Sequence, residues 1–113
     1  MKSIQDLSEQ ERKAIADFRR QVGEAFPGVS VRLTLFGSRA RREADAESDV
    51  DLLLELDLER LSFADKRVIR QVAGNVSLAH GMVLSVLTVD RTTARERGDY
   101  SIFTNIKEEG IPV

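Results

Sequence analysis

Two aspartates at the start of an apolar run, Asp49 and Asp51, constrain the fold of this chain more than any other feature. Apolar residues follow at every second position from Val50 to Leu56, which predicts a strand over residues 49–57. Side chains alternate between the faces of a strand, so both carboxylates share one face with Cα atoms roughly 7 Å apart. Aspartate is disfavoured in strands, and like charges repel unless a cation lies between them. The pair therefore predicts a divalent-metal site, and the alternative is an ordinary solvent-facing strand start.

A second alternating stretch, from Ser30 to Phe36, predicts another strand, which ends at a Gly-Ser pair. Gly37 permits backbone angles that other residues resist. The amides of Ser38 and Arg39 are then expected to begin a short helix whose positive end can meet an anion. The alternative is a plain helix start, since serine is a favoured cap. The pattern predicts strand, tight turn, short helix, loop and strand, with phosphate bound on one side and metal on the other.

Three arginines, Arg39, Arg41 and Arg42, cluster between these strands beside acidic residues at positions 43, 45 and 47. At least Arg39 is predicted to face a polyphosphate. The alternative interpretation is a solvated loop in which the charges pair with one another.

The rest of the chain predicts alternating helices and strands. Capping boxes at Ser8 and Ser62 predict two long amphipathic helices, which end before Pro27 and at His80. Residues 82–89 are nearly all apolar and predict a strand buried on both faces. Two short helices are predicted, one over residues 91–97 and one that begins near Tyr100 and stops at Gly110. This order predicts an α/β (α+β) fold with a small mixed β-sheet flanked by helices, and His80 is expected to help end its helix.

Composition excludes several classes of protein. The 113 residues predict a single domain over residues 1–113, and 42% hydrophobic with 32% charged residues predicts a globular chain. The absence of cysteine excludes disulfides and thiolate metal sites, and a single histidine disfavours an imidazole zinc site. No apolar run approaches the ~20 residues of a membrane span, so we expect a cytoplasmic protein with no membrane partner. A net charge of −2 disfavours nucleic acid as a partner.

Gly37-Ser38, ten intervening residues and Asp49-Val50-Asp51 together resemble the Gly-Ser-x10-Asp-x-Asp signature of the DNA polymerase beta-like nucleotidyltransferase superfamily. The small size and the sequence Leu-Phe-Gly-Ser-Arg-Ala-Arg resemble its minimal nucleotidyltransferase branch. The resemblance implies a short mixed sheet flanked by helices, a nucleoside triphosphate substrate and Mg²⁺. It also implies that Gly37 and Ser38 hold the terminal phosphates while Asp49 and Asp51 hold the metal ions.

Two positions depart from that pattern. Fully active members carry a third carboxylate on a following strand, where it helps to hold the catalytic metal. The equivalent position here is predicted to be Ser85, with Val83 as the alternative, and neither is a carboxylate. Asp90 is a weaker candidate to replace it, because it ends the strand on the opposite face. Arg42 stands where the branch usually has glycine.

The resemblance implies an enzyme that transfers a nucleoside monophosphate, with AMP from ATP expected, to a hydroxyl on a partner protein. No residue is evidently placed to read the base. The branch often pairs with a helical HEPN-domain protein, some pairs acting as toxin and antitoxin, so a homo- or hetero-oligomer is expected. The apolar C-terminal residues, Tyr100, Ile102, Phe103 and Ile106, are the predicted docking face. The alternative function, suggested by Ser85, is a weak or inactive nucleotide-binding module or antitoxin that acts by binding its partner.

Overall fold

A mixed four-stranded sheet lies at the centre of the part of the chain that the structure, a computed structural model, describes: residues 7–40 and 49–113. The strands are β1 (Val31–Phe36), β2 (Val50–Leu56), β3 (Leu84–Val89) and β4 (Ile111–Pro112). The helices are α1 (Glu9–Ala25), α2 (Gly37–Ala40), α3 (Phe63–His80), α4 (Arg91–Arg97) and α5 (Ser101–Glu109). This confirms the predicted α/β class with a small mixed sheet. The prediction for Arg41, Arg42 and their acidic neighbours falls outside the described residues.

The strand order β3-β2-β1-β4 places β2 inside the sheet, between β1 and β3. β1 runs antiparallel to both β2 and β4, whereas β2 and β3 are parallel and are connected through α3. The register aligns Phe36 of β1 with Asp51 of β2, and Asp51 with Ser85 of β3. These three residues therefore form one row across the sheet.

The two faces of the sheet are covered by different helices. Alternate residues of β2, among them Leu52 and Leu54, are buried with residues of α1 and α3 such as Phe18 and Val76. On the other face Leu53 is only 1% exposed and packs with Val89 and with Ile106 of α5. The predicted cover of Leu53 is thus confirmed. Because apolar burial is the main stabilising term, both helical layers fix the position of β2.

The two long helices begin at the predicted capping boxes. Ser8 accepts a hydrogen bond from the Glu11 N–H and Ser62 accepts one from the Asp65 N–H, and both acidic side chains complete the reciprocal bond. α3 ends at His80, as predicted, and is followed by Gly81 in the left-handed conformation. Of the helices in residues 7–40 and 49–113, none is long and apolar enough to cross a bilayer.

Two features of the sheet differ from the sequence prediction. β3 was predicted to be buried on both faces, but it is an edge strand on which Ser85 is exposed and Val86 and Leu87 are half-buried. Its apolar side chains reflect contact with one neighbour, β2, rather than two. The short strand β4 was not predicted, because two residues are too few to show an alternating pattern.

Candidate active site

The two aspartates lie where β2 begins. Asp51 is the second residue of the strand and is half-buried, whereas Asp49 precedes the strand and is exposed. Asp51 pairs with Phe36 and with Ser85, and its side chain therefore shares their side of the sheet. The i, i+2 spacing predicts the same side for Asp49, as a shared metal site requires.

Gly37 lies directly against the Asp51 side chain. Its φ of 74° lies in the left-handed region, and a Cβ atom built on it would overlap the Asp51 Oδ2 atom. Any other residue would therefore have to displace the carboxylate. The sequence indicated glycine for its backbone angles alone, whereas the structure shows that the missing side chain also leaves room for Asp51.

Ser38 and Arg39 continue from Gly37 into α2, a helix of one turn. The Arg39 guanidinium donates a hydrogen bond from Nη1 to Glu11 Oε2 of α1 at 3.2 Å, and its side chain is 10% exposed. Burial raises the pKa of Glu11, but hydrogen bonds from Ser8 and Arg39 outweigh this and leave that pKa below its ordinary value. The ion pair therefore fastens α2 to the start of α1. The predicted contact between Arg39 and a polyphosphate stays a prediction.

Ser85 is the direct neighbour of Asp51 on β3, since the two are paired in the parallel register. Its side chain is exposed and offers a hydroxyl at the position predicted for the third carboxylate. Val83, the alternative position, precedes the strand and is 59% exposed. The site thus brings two carboxylates and one hydroxyl together on adjacent strands.

Asp90 does not replace the missing carboxylate. Its Oδ2 accepts a hydrogen bond from the Leu61 N–H at 2.8 Å and its Oδ1 accepts one from the Thr93 N–H at 2.7 Å. Burial raises the pKa of Asp90, but these two hydrogen bonds outweigh the effect and lower it overall. Asp90 also lies five residues beyond Ser85, about 17 Å along the strand. It is the N-cap of α4 and holds the loop before α3.

The single histidine, His80, is engaged elsewhere in the fold. Its Nε2 lies 2.9 Å from Asp17 Oδ2 of α1, on the face of the sheet opposite to Asp51. Its backbone carbonyl accepts a hydrogen bond from Gln10 at 2.8 Å. His80 therefore joins the end of α3 to α1.

The apolar residues of the C-terminal segment do not form one continuous exposed face. Ile106 is buried and Phe103 is half-buried against Leu53, so both belong to the core beneath α5. Only Tyr100 and Ile102 are more than half exposed. The predicted docking face was therefore wrong for Phe103 and Ile106, because helical spacing alone does not tell a core-facing stripe from an outward-facing one.

Among residues 7–40 and 49–113, no three or more histidine, cysteine, aspartate or glutamate side chains form a group that could hold a metal ion. Mg²⁺ is commonly held by one or two carboxylates together with the phosphates of its substrate and water. Asp49 and Asp51, beside the room that Gly37 leaves, fit that mode of binding. The donor set is suited to a metal that arrives with a nucleotide.

Comparison with known proteins agrees with this geometry. The nucleotidyltransferase domain family matches residues 15–106. Two proteins of Methanocaldococcus jannaschii, each provisionally named a protein adenylyltransferase, are similar to this chain. One is 27% identical over 100 residues, which cover 88% of this chain and 94% of the relative. The other is 32% identical over 78 residues, which cover 69% of this chain and 78% of the relative.

Comparison with solved structures gave no significant match. The family match spans most of the chain and includes the glycine and both aspartates of the candidate site. This chain belongs to the nucleotidyltransferase domain family.

Proposed function

We propose that this chain is a Mg²⁺-dependent nucleotidyltransferase that transfers AMP from ATP to a hydroxyl group on a partner protein. The observation that carries the proposal is the close approach of Gly37 to Asp51, in which a backbone without a side chain lies against a carboxylate at the start of β2. This juxtaposition brings a backbone suited to phosphate and a carboxylate suited to metal to one place. The family match and the names of the two relatives support nucleotidyl transfer.

In this proposal each group of the chain has one task. Gly37 and Ser38 would hold the terminal phosphates, and Asp49 and Asp51 would hold Mg²⁺. The Arg39–Glu11 pair keeps α2 in position. When bound, Mg²⁺ neutralises charge on the phosphates and lowers the pKa of the attacking hydroxyl.

The transfer step is an in-line displacement, which depends mainly on positioning and charge neutralisation. The acceptor oxygen forms a bond to the α-phosphorus as the bond from that phosphorus to the bridging oxygen of the β-phosphate breaks. Pyrophosphate leaves and the hydroxyl proton is released. The products are free pyrophosphate and an acceptor that carries AMP.

A protein acceptor is supported by the names of the two relatives. An acceptor pocket normally needs walls from neighbouring elements or domains, and in this proposal a second polypeptide supplies them. By the resemblance to the minimal branch, that partner is a HEPN-type helical protein, and the pair functions as toxin and antitoxin.

Titration with ATP and Mg²⁺, followed by thermal shift and by pyrophosphate release, tests the proposal. We expect binding that requires Mg²⁺ and that is lost when both Asp49→Asn and Asp51→Asn are introduced. Asp99→Asn is the matched control, because Asp99 is exposed and lies outside the site. Binding that is equally strong in the double variant and the control would refute the assigned metal ligands.

A second candidate function is favoured by Ser85, which pairs with Asp51 where a third carboxylate is expected. In that case the chain is a nucleotide-binding module or antitoxin that transfers weakly or not at all and acts by binding its partner. The two functions are separated by measuring pyrophosphate release in wild type and Ser85→Asp. Fast release by wild type favours the enzyme, whereas tight partner binding with release only in Ser85→Asp favours the module.

A further inference from the structure

A cleft of about 430 Å³ opens beside Gly37, between the end of β1 and helix α5. One wall is formed by Phe36, Gly37 and Ala40, and the other by residues of α5. Gly37 thus borders the cleft as well as the Asp51 carboxylate. This volume falls within the range of small-molecule sites, which runs from about 300 to 1,000 Å³.

The charges around the cleft argue against phosphate as its occupant. Its lining includes no lysine or arginine among the described residues, and Glu109 contributes a carboxylate. A polyphosphate would be repelled by that group, and no cation among the described lining residues would offset the repulsion. The cleft is therefore better suited to an uncharged part of a ligand whose phosphates lie elsewhere.

Three polar side chains of α5 follow one another along this cleft at a spacing of four residues: Ser101, Asn105 and Glu109. Residues with this spacing lie one above the other on a helix. The Asn105 side chain makes no hydrogen bond to another group in residues 7–40 and 49–113. Its carboxamide is therefore available to a ligand. Ile102, 52% exposed, and Phe36 add apolar surface on either side.

We infer that this cleft holds the nucleoside of ATP and that Asn105 recognises the adenine base. The inference rests on the proposed function and names the part of the substrate that Gly37 and the aspartates do not contact. An amide offers a donor and an acceptor together, which matches the N6 and N7 atoms of adenine. Glu109 is joined through Gly110 to β4, the neighbour of β1, and accepts hydrogen bonds from the ribose hydroxyls at that end.

Isothermal titration of the full chain with two probes, ATP and inorganic tripolyphosphate, each with Mg²⁺, separates the nucleoside cleft from the phosphate site. We expect Asn105→Leu to weaken ATP binding about tenfold or more, since a bidentate base contact of this kind discriminates by that order. Tripolyphosphate binding should not change, because that probe has no base. Asn75→Leu, at an exposed asparagine of α3, is the matched control and should leave both affinities unchanged.

Asn105→Asp is a second variant, and it keeps a polar side chain on the exposed surface of α5. Its affinity for ATP should also fall. Its affinity for UTP, used as a third probe, should not fall. If wild type binds ATP and both Asn105 variants bind it equally well, the inference is overturned while the proposed function stands. If wild type binds ATP no more tightly than tripolyphosphate, the cleft holds no nucleoside and the inference is again overturned. If wild type binds neither probe, the proposed function fails and the inference fails with it.

Discussion

Asp51 lies between Gly37 on the β1 side and Ser85 on β3. These two residues leave different amounts of space beside the Asp51 carboxylate. Towards β1 it meets Gly37, where any side chain would overlap the carboxylate. Towards β3 it meets Ser85, a small exposed residue that several other side chains could replace without a clash. The difference teaches that the backbone at Gly37 sets the space for the Asp51 carboxylate, whereas Ser85 lies at an exposed position that other side chains could occupy. Under the proposed function, we expect substitutions on the two sides to alter binding and turnover separately.

The largest effect is expected from Gly37→Ala. The alanine Cβ would have to displace the Asp51 carboxylate, so we expect Mg²⁺–ATP binding to fall by about 100-fold or more, beyond calorimetric detection. Gly28→Ala is a matched control, because Gly28 has a similar φ of 79° and open space around its Cβ position. The control should lose about 1–2 kcal/mol of stability through backbone strain alone and keep its affinity.

Equal Mg²⁺–ATP binding by Gly37→Ala and Gly28→Ala would contradict the expected difference between these two glycines. It would mean that the carboxylate moves freely, and that the close fit at Gly37 has no bearing on nucleotide binding.

On the β3 side we expect Ser85→Asp to raise the rate of pyrophosphate release by about tenfold, because a third carboxylate adds a ligand for the metal. Without Mg²⁺ the same variant should be less stable than wild type, since like charges directly opposite each other repel. Added Mg²⁺ should restore its melting temperature by binding to the folded state. Val83→Asp tests the alternative position, two residues earlier. A rise of equal or larger size in Val83→Asp would contradict the assignment of the third carboxylate to the position next to Asp51.

Much of the fold could be predicted because its signals are local. Capping boxes at Ser8 and Ser62 and the alternation in β1 and β2 each occupy only a few neighbouring residues. Contacts between distant residues gave no such signal. The Arg39–Glu11 pair joins residues 28 apart, and the edge position of β3 depends on strand order, which an apolar run does not encode.

For the candidate site, the spacing of Gly37, Asp49 and Asp51 predicts phosphate and metal binding, and those roles stay predictions. The register between strands shows that Ser85 pairs with Asp51. The contact of Gly37 with Asp51 could not be read from spacing, because it depends on the pairing of Phe36 with Asp51. The role of Asp90 also depends on a distant partner, the Leu61 amide.

A smaller effect on the β1 side is expected from Arg39→Gln and Glu11→Gln. Each breaks the partly buried ion pair and should cost about 1.5–3 kcal/mol of unfolding free energy, measured with urea. If the pair acts by positioning α2, both variants should weaken Mg²⁺–ATP binding by the same small factor, about two- to fivefold. A much larger loss from Arg39→Gln than from Glu11→Gln would instead reveal a direct contact of Arg39 with phosphate.

The smallest effect on nucleotide binding is expected at Asp17, on the opposite face of the sheet from Asp51. Hydrogen bonds, first from His80 and then from Gln21, lower the pKa of Asp17 from 3.8 to about 2. A carboxylate with a lowered folded-state pKa stabilises the protein fully above pH 3.8 and loses that contribution as the pH falls towards 2. Asp17→Asn should therefore be less stable than wild type at neutral pH, with a smaller further loss between pH 4 and 2 in urea unfolding. A change in Mg²⁺–ATP affinity at neutral pH would show that the two faces of the sheet are coupled.

The most direct measurement of the proposed transfer is the intact mass of the proposed HEPN-type partner after co-expression with this chain. With wild type we expect the partner to gain the mass of one or more AMP units, and with Asp51→Asn we expect no gain. Asp99→Asn should behave as wild type. A partner that binds tightly and keeps its unmodified mass in all three samples would contradict AMP transfer and leave binding as the function of this site.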